Sequence, residues 1–344
     1  MELLGLSPAL LALFVSFGFM VGVLFGFFGM GGSFLITPTL LILGYPAPVA
    51  IGSGLAFYFG TSVIAVLKHY DVGQVDYKLG AVLFVVLSIG IELGSRLVFG
   101  LEALGVAELV TGVAYVVLLA GIGLLFLRRA YRLEEVTDDD DDGVSDEEIP
   151  PIARKIQSYE VAPMLSLSSG GRASLWTILG SGGGVGLVSG LIGVGGGFIR
   201  MPAIYYLIGT PLTAAVGTSL FAGLFSGAFG TFTYGMSGGV DLTVVSLLLV
   251  GSALGARIGS AATAIVEEDD VIIYFGIMML LASAGIGLSE LGNWLGVGSL
   301  DALSVVLLVG SSFAVASIIL YQVLASSGRA ETTARPTSDG DDRR

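Results

Sequence analysis

The sequence predicts an all-α polytopic membrane protein of two homologous repeats, each with a short helix split off at a glycine cluster, and about eight or nine full spans. Three observations carry that prediction. Hydrophobic residues make up 54% of the 344-residue chain and charged ones only 12%, with mean hydropathy +0.91, whereas a soluble domain carries roughly a quarter charged residues. Runs such as 101–127, interrupted only by Glu102 and Glu108, and 300–324, interrupted only by Asp301, exceed the roughly 20 apolar residues that cross hydrocarbon. Finally, Gly26-Phe-Phe-Gly29-Met-Gly31-Gly32-Ser33-Phe34, followed by Pro38, returns as Gly190-Leu-Ile-Gly193-Val-Gly195-Gly196-Gly197-Phe198, followed by Pro202.

The elements follow in order. No basic region precedes the first apolar run, so residues 8–28 read as a retained span rather than a cleaved signal. Glycine relaxes the backbone and tolerates positive φ, so the cluster at 29–32 ends that helix. Residues 34–43 number ten, about 15 Å of helix, too short to span alone. Gly44-Tyr45-Pro46-Ala47-Pro48 turns the chain into a span over 49–67, and a polar connection, 68–78, leads to spans over 79–99 and 106–127. Arg128, Arg129 and Arg132 close the last of these and place the following segment in the cytoplasm. Lys68 and Lys78 read the same way. Residues 1–130 thus form the first repeat, and 131–173 a cytoplasmic linker whose acid run is expected to be mostly disordered. The second repeat, 174–290, has its own break, a short segment over 198–208, a turn at Gly209-Thr210-Pro211, and spans over 213–234, 240–263 and 271–288. Residues 291–325 add one helix with no counterpart, and 326–344 read as a disordered tail.

The repeat holds position by position. At an offset of 164, Gly22, Gly26, Gly29, Gly31, Gly32, Phe34 and Pro38 match Gly186, Gly190, Gly193, Gly195, Gly196, Phe198 and Pro202. One inserted residue shifts the offset to 165, after which Gly44, Pro46, Gly52, Asp76, Gly90 and Gly94 match Gly209, Pro211, Gly217, Asp241, Gly255 and Gly259. An even number of crossings per half makes the repeats parallel and an odd number makes them inverted; charge does not decide between the two.

Composition also excludes. The net charge of −13 comes from the linker and the tail, which disfavours nucleic acid as a partner. Only three lysines occur (Lys68, Lys78, Lys155), and acid-rich, lysine-poor exposed segments fit a host with a high-salt cytoplasm. The absence of cysteine removes disulfides and thiolate chemistry, and His69 as the sole histidine removes a multi-histidine metal centre. No cofactor is expected. Gly193-x-Gly195 lacks the βαβ setting of a dinucleotide site. Gly52-Ser53-Gly54 has only His69, in a loop, as a base. The chain therefore reads as a non-enzyme.

Inside a membrane a broken helix is tolerated where it is buried in protein or lines a cavity, and paired breaks in corresponding halves point to a transporter's binding site. Phe34 and Phe198 open short helices whose first N–H groups lack intrahelical partners and favour an anion. Gly31-Gly32 and Gly195-Gly196-Gly197 let backbone approach a ligand, or else permit tight helix crossing. Ser33, Thr37, Ser53, Thr218 and Ser219 offer hydroxyl donors, unless each bonds back to its own helix. Arg200 stands where the first copy has Ile36, a charge within an apolar segment and so a candidate contact to the anion. Glu92 and Arg257 occupy matching positions with opposite charge and can pair between the halves, although Arg96 is a rival partner one turn from Glu92. Gly251-x-x-x-Gly255-x-x-x-Gly259 reads as a packing stripe, Asp76 and Asp241 as helix caps, and His69 as a solvated loop residue.

The paired Gly-x-x-Gly-x-Gly-Gly-x-Phe-x-x-x-Pro segments, the Pro-turn-Ala-x-Gly-[Ser/Thr] continuation and the Val-Asp start of the next span resemble the TauE/SafE family, the sulfite exporters or toluene-sulfonate uptake permeases, over about 16–95 and 180–260. The resemblance implies a permease in the cell membrane that moves small sulfur-containing anions such as sulfite or organosulfonates. Its partners are then that anion and the lipid bilayer, with homo-oligomerisation left open. The alternative is an anion channel or a structural subunit of a membrane complex.

Overall fold

The architecture is that of a computed structural model, which describes residues 7–28, 33–69, 75–135, 161–167, 172–263, 265–266 and 268–333. The helices, in order, are α1 (Pro8–Phe28), α2 (Ser33–Ile42), α3 (Ala47–His69), α4 (Tyr77–Ala103), α5 (Ala107–Glu135), α6 (Leu175–Ile192), α7 (Gly197–Ile208), α8 (Leu212–Met236), α9 (Leu242–Ala262), α10 (Glu268–Leu295) and α11. The last opens as Ser299–Val305, widens by one residue per turn over Val306–Gly310 and continues as Ser311–Thr333. Among the described residues, eight of these helices, α1, α4 to α6 and α8 to α11, are long and apolar enough to cross a membrane. The fold is all-α and polytopic, as the composition predicts.

Local chemistry explains where the helices begin and end. The Asp76 carboxylate accepts from the N–H groups of Lys78 (3.1 Å) and Leu79 (3.0 Å) and caps α4. Asp241 caps α9 in the same way through Thr243 (3.0 Å) and Val244 (3.1 Å). In α7, Pro202 has no N–H to continue the ladder, and the helix widens over Ile204–Ile208. Gly209, at φ +77°, then ends it by donating to the Ile204 carbonyl at 3.0 Å.

Two departures from the sequence reading lie around the linker. α5 runs on to Glu135, and the residues before α6 form a small antiparallel hairpin, β1 (Met164–Ser166) and β2 (Arg172–Ser174), with Leu165 opposite Ala173. Leu167 and Ala173 bury themselves with Leu79, Leu83 and Ile178, which anchors the hairpin on α4 and α6. Trp176 Nε1 donates to the Ala162 carbonyl at 3.2 Å. The acid run (136–160), the residues 168–171 and the tail (334–344) lie outside the described residues, so the disorder expected there does too.

Glycine stripes set the main helix crossings. Gly18, Gly22 and Gly26 of α1 lie on the backbone of Leu248, Ser252 and Ala256, while Gly251, Gly255 and Gly259 of α9 lie on Val15, Phe19 and Val23. A methyl at any of these six positions would overlap facing backbone, so the two helices touch main chain to main chain. α4 and α6 repeat this contact, with Gly90 and Gly94 on one side and Gly186 and Gly190 on the other. Within each pair the helices run parallel. α3 and α8 instead cross antiparallel, Gly52 lying by Tyr234 and Gly227 by Tyr58. α5 and α10 are antiparallel as well, with Gly112 by Glu290, Gly123 by Gly276, and Ser283 Oγ on the Val116 carbonyl at 2.9 Å.

The core is aromatic and aliphatic, with Phe14, Phe17, Phe57, Tyr115 and Phe275 fully enclosed. The outer faces are apolar too: Leu93 and Leu97 on α4, Val117 and Leu125 on α5, and Val250 and Leu254 on α9 are all exposed. An apolar surface of this extent suits hydrocarbon rather than water.

Candidate functional site

The site begins with the break after α6. Gly193, Gly195 and Gly196 adopt φ of +74°, +68° and +73°, a region that favours glycine over any residue with a Cβ. The break releases carbonyls that a continuing helix would have satisfied, and buried carbonyls require partners. Five of them find one, from four elements. Tyr234 of α8 donates to Gly190, Tyr115 of α5 to Ile192, Thr37 of α2 to Gly193 (3.5 Å), Ser33 of α2 to Val194, and Arg200 of α7 to Gly195 (3.4 Å). Five side chains thus hold five carbonyls in an open conformation.

The two short helices meet here. The rings of Phe34 and Phe198, the matching aromatics of the two copies, stand edge to face with centroids 5.8 Å apart. Gly196 precedes the first turn of α7 and its carbonyl accepts from Arg200 N at 2.7 Å, while Gly197 begins the helix. Gly31 and Gly32 of the first copy lie outside the described residues.

Arg200 is the centre of the site. Its side chain is only 2% exposed. Nε donates to Ser219 Oγ at 3.1 Å, Nη1 to the Gly195 carbonyl at 3.4 Å, and Nη2 to Tyr58 Oη at 2.6 Å. The guanidinium carbon stands 6.0 Å from the centroid of the Tyr58 ring. All three partners are neutral, and among the described residues no carboxylate pairs with this cation. Ile36, at the matching place in α2, is simply buried.

The other candidates separate from this centre. Ser53 Oγ accepts from the Asp241 N–H at 2.9 Å, and Thr218 Oγ1 accepts from the Asp76 N–H at 3.1 Å. Both hydroxyls therefore brace the entrances of α9 and α4. Ser219, by contrast, lies on Arg200. The pair between Glu92 and Arg257 is not formed: Glu92 Oε1 accepts from Arg96 Nε at 2.8 Å on the same helix, and Arg257 is exposed on α9. The local partner wins because it lies one turn away, whereas α4 and α9 are packed on different helices.

Two residues that carry the site have no motif. Tyr58 sits in an apolar stretch of α3, and Gly223 faces it from α8, where a methyl would overlap both Arg200 Nη2 and Tyr58 Oη. The only hint in the sequence is register, since Tyr58 and Gly223 are 165 residues apart.

Comparison with known proteins now adds the family. The profile of the Sulfite exporter TauE/SafE family matches residues 14–286. The chain belongs to this family. A probable membrane transporter protein of Xylella fastidiosa (strain 9a5c) is 26% identical over 246 residues, covering 71% of this chain and 81% of that protein. The probable membrane transporter proteins YunE and YdhB of Bacillus subtilis (strain 168) are 23% and 26% identical, each over 78% of this chain and over 93% and 96% of their own lengths. No solved structure matches. This TauE/SafE protein is accordingly a multi-pass membrane transporter, and both glycine breaks fall within the matched residues.

Proposed function

We propose that the protein is a secondary transporter of small sulfur-containing anions, such as sulfite or organosulfonates, working across the cell membrane by alternating access. The observation that carries the reading is Arg200, a cation buried to 2% exposure among neutral groups. Arginine does not deprotonate in proteins, and a buried charge without a counterion is costly. An anion resting on the guanidinium supplies that counterion. At 4 Å and an effective dielectric near 20, the attraction is worth about 4 kcal/mol.

The position of the site supports alternating access. Arg200 comes from the second half and Tyr58 from the first, so the anion would sit where the halves meet. The antiparallel crossings of α3 with α8 and of α5 with α10 support reading the halves as inverted copies. The closure of Arg200 to solvent supports an occluded state, which rocking one half against the other would open to either side. The basic cluster at the end of α5 supports a cytoplasmic linker.

Uptake of labelled sulfite, sulfate, sulfoacetate and taurine into proteoliposomes, with and without pH or sodium gradients, tests the proposal. Saturable flux of at least one sulfur oxyanion is expected. Saturable flux of a cation, with none of these anions moved, would refute the substrate class.

A further inference from the structure

The hydrogen-bonding capacity around Arg200 can be counted. A guanidinium has five N–H donors, and three are engaged, by Ser219, Gly195 and Tyr58. Among the described residues nothing takes the other two, which leaves them for a ligand. Tyr58 and Ser219 both accept from Arg200, and among the described residues neither hydroxyl passes its own hydrogen to an acceptor. Each O–H is therefore polarised by the cation and available to donate. Among the described residues the Gly195 carbonyl is the backbone acceptor on the guanidinium; it keeps one lone pair beside its bond from Nη1, so free donors outnumber free acceptors around the cation. The Tyr58 ring is held in place because Gly195 and Gly223 leave no Cβ against it.

We infer that Tyr58 and Ser219 are the specificity-determining residues of the anion site, completing a cradle of donors that accepts a fully deprotonated oxyanion and rejects one that carries its own O–H. A sulfonate, or the dianion of sulfite or sulfate, presents only acceptors and matches such a cradle. Hydrogen phosphate brings a donor to a cradle made mainly of donors, so it pairs less completely there, and imperfect pairing of buried polar groups discriminates strongly. The inference rests on reading Arg200 as the anion's countercharge.

The test is competition against labelled sulfite uptake in proteoliposomes, at a pH where sulfite is the dianion. Methanesulfonate should compete, and hydrogen phosphate should be weaker by about a hundredfold or more. Tyr58→Phe keeps the ring that packs on Gly195 and removes only the hydroxyl. It should raise the KM for sulfite about tenfold at unchanged maximal rate and melting midpoint, and Ser219→Ala should do the same. Phosphate competing as well as methanesulfonate would overturn the inference, as would both variants keeping the parental KM. A fall in melting midpoint and maximal rate at constant KM would mark a structural role and overturn it too. Loss of uptake in Arg200→Gln alongside a normal Tyr58→Phe would sink only the cradle, whereas intact saturable uptake in Arg200→Gln would sink the underlying reading.

Discussion

Arg200→Gln removes the one buried cation of the site while leaving a polar side chain of similar reach, and Arg200→Lys keeps the charge but changes the donor count. Losing the charge forfeits the attraction of about 4 kcal/mol to a bound anion, which corresponds to roughly a thousandfold in affinity. Uptake by the glutamine variant should therefore show no saturation at millimolar sulfite. Lysine offers three donors where arginine offers five, and Ser219 Oγ, the Gly195 carbonyl and Tyr58 Oη already claim three. The lysine variant should accordingly retain some transport with KM raised about tenfold to a hundredfold. Initial rates of labelled sulfite uptake, normalised to reconstituted protein, give both numbers. A glutamine variant with a KM within about threefold of the parent would refute the reasoning, because a countercharge worth roughly 4 kcal/mol cannot be lost so cheaply.

Four further outcomes follow from the packing. Gly255→Val places a side chain on the backbone of Phe19 and should destabilise the α1–α9 crossing by about 1–3 kcal/mol, seen as a lower melting midpoint in detergent. Gly121→Ala, with nothing within 4 Å, should leave that midpoint unchanged or slightly higher. Tyr115→Phe strands the Ile192 carbonyl and should cost about 1–3 kcal/mol, read as a lower midpoint together with slower transport. Glu92→Gln breaks only the local pair with Arg96, so sulfite uptake should stay near parental, and Arg257→Gln should have the same effect in either background.

The breaks were legible because glycine and proline have few other uses inside an apolar run. So were the stripe at Gly251, Gly255 and Gly259 and the caps at Asp76 and Asp241, whose chemistry is local. What the stripe touches was not legible: its partner, α1, lies more than two hundred residues earlier, and small residues advertise close approach without naming a neighbour. The hydroxyls show the same limit. Ser33, Ser53, Thr218 and Ser219 look alike as isolated donors, yet Ser33 holds a carbonyl of the opposite break, Ser53 and Thr218 brace helix entrances, and only Ser219 reaches Arg200. Tyr58 escaped notice because its role depends on Gly223 and Gly195 arriving from the other half. The widened turn after Pro202 and the hairpin before α6 were hidden as well, the first by its apolar composition and the second by its neighbouring acid run.

Counterflow tests the account most directly. Proteoliposomes loaded with unlabelled sulfite and diluted into labelled sulfite should accumulate label transiently above its equilibrium level, because a carrier returning loaded exchanges one anion for another. Label that only rises monotonically to equilibrium, at a rate linear in concentration, would contradict alternating access at Arg200.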